Sequence, residues 1–117
     1  MPSSPDLAPT LALLQQLPSA SREVMVRMYR QALRDHLDQI GVGLQAGANA
    51  PDGVGPAHRI AGSAGMMQDM ALCEAARAIE SALREGRNQD AQALLPRLHD
   101  CAQATLAALA LAYPGVE

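Results

Sequence analysis

The sequence predicts an all-α fold, an antiparallel up-down four-helix bundle with a short accessory N-terminal helix. Apolar residues recur every three or four positions through four long segments, which indicates amphipathic helices. Hydrophobic residues make up 49% of the 117-residue chain, enough for the core of one domain. Aromatic residues make up only 2%, with no Phe or Trp, and this composition favours packed helices over a sheet. Short connections between the helices place neighbours antiparallel.

The first part of the chain predicts a loose arm, a short helix and one long helix. Prolines and serines in residues 1–9 indicate a flexible arm, and a short helix follows over 10–17. Ser21 is expected to cap the long helix. Five glycines and a proline between 41 and 55 predict that this helix frays into a loop. Its apolar stripe consists of Val26, Tyr29, Leu33, Leu37, Ile40 and Leu44.

The next helix is expected to begin between Asp52 and Pro56, because proline suits the first turn of a helix. A break near Gln68 and Asp69 should end it, since Asp69 can cap the helix that follows. The two helices would then form an antiparallel hairpin. Their apolar rows are Ala57, Ile60, Ala64 and Met67 before the break, and Leu72, Ala76, Ile79 and Leu83 after it.

The last helix is expected to follow a stop at Gly86 and to begin at Asn88 or a neighbour. Pro96 lies well inside it and predicts a kink or a restart. The bundle would then cover residues 10–113, with a tail at 114–117. The apolar stripe is Leu94 or Leu95, Leu98, Ala102, Leu106 and Leu109.

Charge and cysteine content argue against several classes of protein. The net charge is −3, all nine basic residues are arginines, and none forms a basic block, which disfavours nucleic acid as a partner. No apolar run is long enough for a membrane span, and the N-terminus lacks a signal peptide's basic region. Cys73 and Cys101 should be buried free thiols, which favours a cytoplasmic protein. None of the three histidines has a carboxylate three or four residues away, so no metal site is predicted.

The segment AHRIAGSAGMMQDMALCEAARAIE, residues 57–80, carries the candidate site. His58, Gly62 and Gly65 are spaced to share one helix face, and Ala61 is expected on the same exposed side. Glycine within a helix costs about 1 kcal/mol relative to alanine, so its presence needs a reason. One reason is a bare surface that admits a partner. The alternative is close packing of helices inside the bundle.

The hairpin is predicted to place Glu80 opposite His58. A carboxylate there can accept the Nδ1 proton of the imidazole, fix its tautomer and leave the Nε2 lone pair facing outward. This arrangement makes a histidine an oriented nucleophile. The alternative is that Glu80 is an ordinary surface residue.

The same segment resembles the signature of histidine-containing phosphotransfer (HPt) domains, which relay phosphoryl groups between aspartates of receiver domains. The matching positions are His58, Ile60, Gly62, Ser63, Ile79 and Glu80. The resemblance implies that His58 accepts the phosphoryl group, that Glu80 hydrogen-bonds its imidazole, and that Gly62 admits the partner. Beside them, Ala61, Gly65 and Met66 are expected to form the docking face.

The resemblance also implies the partners. These are the receiver domain of a response regulator and a hybrid sensor histidine kinase, with Mg²⁺ in the receiver and no cofactor on this chain. Because no ATP-binding or kinase motif is present, we expect a phosphocarrier rather than an enzyme. We also expect a monomer, and the N- and C-terminal arms favour a stand-alone protein.

Two positions depart from the family pattern. Ala61 stands where the family usually has lysine, and a residue near Gln68 replaces a usual glycine. Pairing across the hairpin predicts that Arg77 lies opposite Ala61 and supplies the missing positive charge, with Arg59 and Arg84 as further candidates. The departures leave open an HPt-like docking module that binds receiver or kinase domains without being phosphorylated. Retention of both His58 and Glu80 argues against that alternative.

Overall fold

The computed structural model describes residues 5–45 and 51–116 and folds them into helices joined by short connections. The third helix packs between the second and the fourth, the fourth packs against the fifth, and the second also contacts the first and the fifth. This arrangement confirms the predicted all-α bundle. The helices are α1 (Ala8–Gln15), α2 (Ser19–Gln45), α3 (Pro51–Met66), α4 (Met70–Arg84) and α5 (Asn88–Ala112).

The predicted apolar stripes form the core. The four-residue rows of α3 and α4 are buried throughout, as is the stripe of α2 from Val26 to Ile40, whereas the side chain of Leu44 lies outside the described residues. On α5, Leu98, Ala102 and Leu109 are buried, and the other predicted leucines are half-buried. Both cysteines are buried and free, as predicted.

Several helix ends differ from the sequence prediction. α1 begins at Ala8, two residues before the predicted start, and has proline in its first turn. α2 begins at Ser19, directly after Pro18, so Ser21 lies within the first turn and is not the cap. α2 also continues to Gln45 instead of fraying at Gly41, because extending a helix that is already formed needs no new nucleation and a glycine costs only about 1 kcal/mol. The middle of the predicted loop, residues 46–50, lies outside the described residues.

Two prolines lie inside helices. α3 begins at Pro51, one residue before the predicted range, so Pro56 falls within it instead of in its first turn. α5 passes through Pro96 without a restart, so the helix is continuous at this proline, and the predicted kink stays a prediction. A proline in a helix interior costs about 3 kcal/mol. Both helices bury a full apolar row against their neighbours, and that burial exceeds the local cost.

Arg22 fastens the short helix α1 to the start of α2. Its Nε donates to the carbonyl oxygen of Leu14 at 3.0 Å, and its Nη2 donates to those of Leu17 at 2.9 Å and Gln15 at 3.3 Å. The last carbonyl groups of a helix have no partners within the helix, so the guanidinium group satisfies them and favours the negative end of the helix dipole. The sequence pattern did not indicate this contact.

The turn between α3 and α4 is a Schellman motif closed by Gln68. The N–H of Asp69 donates to the carbonyl of Ala64 at 2.8 Å, and the N–H of Gln68 donates to that of Gly65 at 3.2 Å. Gln68 has a φ of +59°, a left-handed conformation that usually belongs to glycine. The same motif ends α4, where Gly86 has a φ of +73° as the predicted stop.

Asp69 occupies the predicted capping position but does not cap α4 with its side chain. Its Oδ2 instead accepts hydrogen bonds from the hydroxyl of Tyr29 at 2.8 Å and from Oγ1 of Thr105 at 2.6 Å. Only 1% of Asp69 is exposed, and burial raises the pKa of its carboxyl group against the opposing effect of the Thr105 and Tyr29 hydrogen bonds. These three side chains join the α3–α4 turn to α2 and α5.

Replacing Gln68 by glycine is expected to stabilise the protein. Glycine adopts the left-handed conformation without the steric cost of a Cβ atom, so the free energy of unfolding should rise by about 1 kcal/mol. Urea denaturation measures this change. The control is Gly86→Ala, which introduces a Cβ at a φ of +73° and should lower the free energy of unfolding by a similar amount. A less stable Gln68→Gly protein would contradict the assigned turn geometry.

Replacing Asp69 by asparagine is expected to change how stability depends on pH. The folded-state pKa of Asp69 is raised above the ordinary value of 3.8, so its contribution is complete below that pH and is lost as the pH rises through the folded-state pKa. The wild type should therefore lose stability relative to Asp69→Asn as the pH rises above about 4 and through the folded-state pKa. Denaturation at several pH values tests this difference, with the exposed Asp100→Asn as the control. A difference that is constant with pH, or of opposite sign, would count against the interpretation.

Candidate functional site

His58 projects from the middle of α3, and 69% of its side chain is exposed. One turn further along the helix, Gly62 is also exposed, and a Cβ atom built on it would meet no atom within 4 Å. Internal packing therefore does not require glycine at 62. The surface beside the imidazole is bare, as the sequence predicted for an approaching partner.

Glu80 on α4 lies against His58, in the pairing predicted from the hairpin. Oε2 of Glu80 is 2.9 Å from Nδ1 of His58. An ionised carboxylate only accepts hydrogen bonds, so Nδ1 carries the proton and donates. In the neutral ring the lone pair is then on Nε2, which is the nitrogen on the side away from Glu80.

Arg84, one turn after Glu80 on α4, binds the same carboxylate oxygen. Its Nε and Nη2 donate to Oε2 of Glu80 at 3.0 Å and 2.7 Å. The Glu80 side chain is 14% exposed, and this burial raises its pKa, but the hydrogen bonds from Arg84 and His58 outweigh burial and hold the pKa below its usual value. Glu80 therefore carries its negative charge throughout the neutral pH range.

Two residues expected on the docking face lie elsewhere. Ala61 is only 4% exposed, so the prediction that it lies on the exposed side is wrong. α3 packs between α2 and α4 and therefore buries a wider face than one apolar row. Gly65 is half-buried, and a Cβ atom on it would lie 3.6 Å from Sγ of Cys73, so it faces α4. That distance is an ordinary van der Waals contact, so close helix packing does not require glycine at 65.

The structure joins one of the three candidate arginines to the His58–Glu80 pair. Arg77 is exposed on α4, and within the described parts of the chain no hydrogen bond or ion pair reaches it. Arg59 is exposed beside His58. The pKa of His36 on α2 is lowered first by the burial of His36 and second by the positive charge of Arg59. Arg84 alone of the three has a hydrogen bond to Glu80 among the described residues.

An apolar groove borders α3 beyond Gly62, and the sequence prediction did not include most of it. Its volume is ≈ 320 Å³, and its lining includes Leu13 and Leu17 near α1, Met25 and Met28 from α2, and Met66 from α3. Met66 is 79% exposed and Met28 is 63% exposed. Met25 and Met28 are apolar residues on the otherwise polar side of α2, next to the buried stripe. This irregularity is the sequence signal from which the groove could have been predicted. Met67, predicted to belong to the core, is buried.

Neither a metal centre nor a membrane span is present in the described ranges 5–45 and 51–116. Across those residues, no group of three or more His, Cys, Asp or Glu is placed to hold a metal ion. None of their helices is long and apolar enough to cross a membrane.

Comparison with known proteins identifies the family. No curated protein and no solved structure matches the chain. A family model described as "Hpt domain" matches residues 24–108, which run from α2 into α5 and include the whole His58 site. Hpt domains take part in phosphotransfer in two-component signalling, as phosphocarriers rather than kinases, and interact with receiver domains and kinases. Because this match covers well over half of the residues of the chain, the chain belongs to the Hpt domain family.

Proposed function

We propose that this protein is a phosphorelay intermediary in the cytoplasm that carries a phosphoryl group on His58. It takes the group from an aspartate of a receiver domain or from a hybrid sensor kinase and passes it to a response regulator. The contact between Nδ1 of His58 and Glu80, at 2.9 Å on a side chain that is 69% exposed, is the observation that carries the proposal. It leaves Nε2 available to a partner and keeps the ring oriented.

The transfer step conserves atoms and charge. The Nε2 lone pair of neutral His58 attacks the phosphorus of the partner's aspartyl phosphate, and an N–P bond forms as the P–O bond to the aspartate breaks. The aspartate leaves with that electron pair as a carboxylate. His58 keeps its Nδ1 proton, so the ring becomes a phosphorylated imidazolium, and the adjacent carboxylate of Glu80 stabilises the new positive charge.

The remaining machinery for phosphoryl transfer belongs to the partner. Transfer needs an in-line approach and neutralisation of the phosphoryl oxygens, which Mg²⁺ supplies in the receiver domain. On this chain the requirement is an accessible nucleophile with room around it, and exposed His58 beside the bare surface of Gly62 meets it. Arg77 and Arg59, exposed on the two helices of the site, are the candidates for balancing phosphoryl charge directly.

The docking face of the partner is proposed to run along α3 from Gly62 to Met66 and into the apolar groove. Met66 lies eight residues after His58, about 12 Å along the helix axis. Exposed methionines are flexible and suit a surface that accommodates more than one partner. A phosphorelay intermediary needs such a surface, because donor and acceptor domains use the same histidine.

Phosphorylation of His58 is tested by incubating the protein with a phosphorylated receiver domain. The wild type should acquire an acid-labile, base-stable label, and His58→Gln should acquire none. His99→Gln, an exposed histidine on α5, is the matched control and should be labelled normally. If the receiver binds the wild type but leaves it unlabelled, the chain is instead the docking module that binds without being phosphorylated.

The docking face is tested by placing a side chain at the bare position 62. Gly62→Leu should fold at least as stably as the wild type, because leucine is the better helix former by about 0.8 kcal/mol and no neighbouring atom obstructs it. Affinity for the receiver domain should fall by at least about tenfold, equivalent to 1.4 kcal/mol. Calorimetry measures both quantities, with Ala93→Leu on the exposed face of α5 as the control. Unchanged affinity would exclude this surface from the interface.

A further inference from the structure

The Glu80 carboxylate is shared between His58 and Arg84 through a single oxygen atom. Nε and Nη2 of Arg84 and Nδ1 of His58 all lie within 3.0 Å of Oε2 of Glu80. The Arg84 side chain is 58% exposed. An ion pair this exposed contributes little to folding stability, so its main consequence is for the site.

Sharing this oxygen affects the protonation of the imidazole. A carboxylate beside Nδ1 stabilises the doubly protonated ring, and in that form Nε2 has no lone pair and cannot attack phosphorus. A guanidinium group on the same oxygen reduces the negative potential at the ring. The carboxylate still holds the Nδ1 proton.

We propose that Arg84 is a positioning residue that acts on His58 through Glu80. It holds the carboxylate with Oε2 towards Nδ1, and it limits how strongly that carboxylate favours the protonated ring. The proposal rests on phosphotransfer through His58. It differs from the charge-balancing role predicted for Arg84 from sequence, because Arg84 acts on the nucleophile before transfer and not on the phosphoryl oxygens.

The charged and titratable neighbours of this site are few in the described residues. α4 contributes Glu80 and Arg84 in direct contact. α4 also contributes the exposed Arg77. α3 contributes Arg59, which follows His58 in sequence, and α2 contributes His36, whose pKa is affected by Arg59 and by Asp35. Among the described residues only Glu80 is hydrogen-bonded to the His58 ring, so the Glu80–Arg84 pair is the part of this group that mutation can separate cleanly.

The test measures the rate of transfer from a phosphorylated receiver to three Arg84 variants between pH 6 and pH 8.5. Arg84→Ala should be slower than wild type by about five- to tenfold at pH 6.5, the size of a coupling within one ion-pair network, and should approach wild type at pH 8.5. Arg84→Gln keeps a donor without the charge and should show the same pH dependence. Arg84→Lys keeps the charge and should resemble wild type. Arg97→Ala on the exposed face of α5 is the control.

A double-mutant cycle with Glu80→Gln separates action through Glu80 from direct contact with the phosphoryl group. In the Glu80→Gln background, Arg84→Ala should have no further effect on the rate. An effect that persists there, or no slowing at any pH, would overturn the proposal, and an equal slowing at every pH would overturn its electrostatic part. Nitrogen-15 NMR of His58 in the isolated protein tests the protonation of the ring without any receiver, and Arg84→Ala should raise the doubly protonated fraction at pH 6.5. Failure of the wild type to accept phosphate would refute the proposed function, whereas an unchanged NMR titration would refute the role of Arg84.

Discussion

The buried carboxyl group of Asp69 is the constraint on which the position of the site depends. It accepts hydrogen bonds from Tyr29 on α2 and Thr105 on α5, and so fixes the α3–α4 turn to both sides of the bundle. The turn itself leaves little freedom, because the Schellman hydrogen bonds define where α3 ends and α4 begins. A slip of one residue in α4 would rotate its side chains by about 100° and carry Glu80 away from His58.

The contact of His58 with Glu80 is therefore a consequence of the hairpin register. His58 itself remains exposed, as the proposed transfer requires, because the histidine would have to meet the catalytic pocket of another protein. The fixed part of the site is the partly buried Glu80 beneath it, held by one helical turn of α4 that also carries Arg84. The geometry of the His58–Glu80 contact is set by helices, which hold functional groups more rigidly than loops do.

The accessory helix extends this surface. α1 makes few contacts with the rest of the bundle, and the hydrogen bonds of Arg22 to its last carbonyl groups tie it to α2. Leu13 and Leu17 thereby line the apolar groove together with Met66. As part of the proposed docking face, the groove would give a partner hydrophobic contact area.

Local patterns predicted a large part of this protein. Apolar periodicity located the helices, and most of the residues in its predicted stripes are buried, because a helix must bury the side on which its apolar residues recur. Gly86 marked a helix end because its left-handed conformation is a local property. The position of the α3–α4 turn predicted that Glu80 lies opposite His58, because antiparallel pairing of two helices across a short turn depends only on where the turn lies.

Other features were decided by tertiary structure. Pro56 and Pro96 lie within helices because burial along the whole helix outweighs a local cost of about 3 kcal/mol. Ala61 is buried because α3 packs against helices on two sides, and a periodicity pattern gives the centre of a buried face but not its width. The sequence alone determined the choice of His58 and Glu80 as the proposed site residues. Arg84 binds Glu80 as an i,i+4 pair within α4, a spacing that is visible in the sequence. The choice of Tyr29 and Thr105 as the partners of Asp69 depended on side-chain geometry between packed helices, which no spacing along the chain encodes.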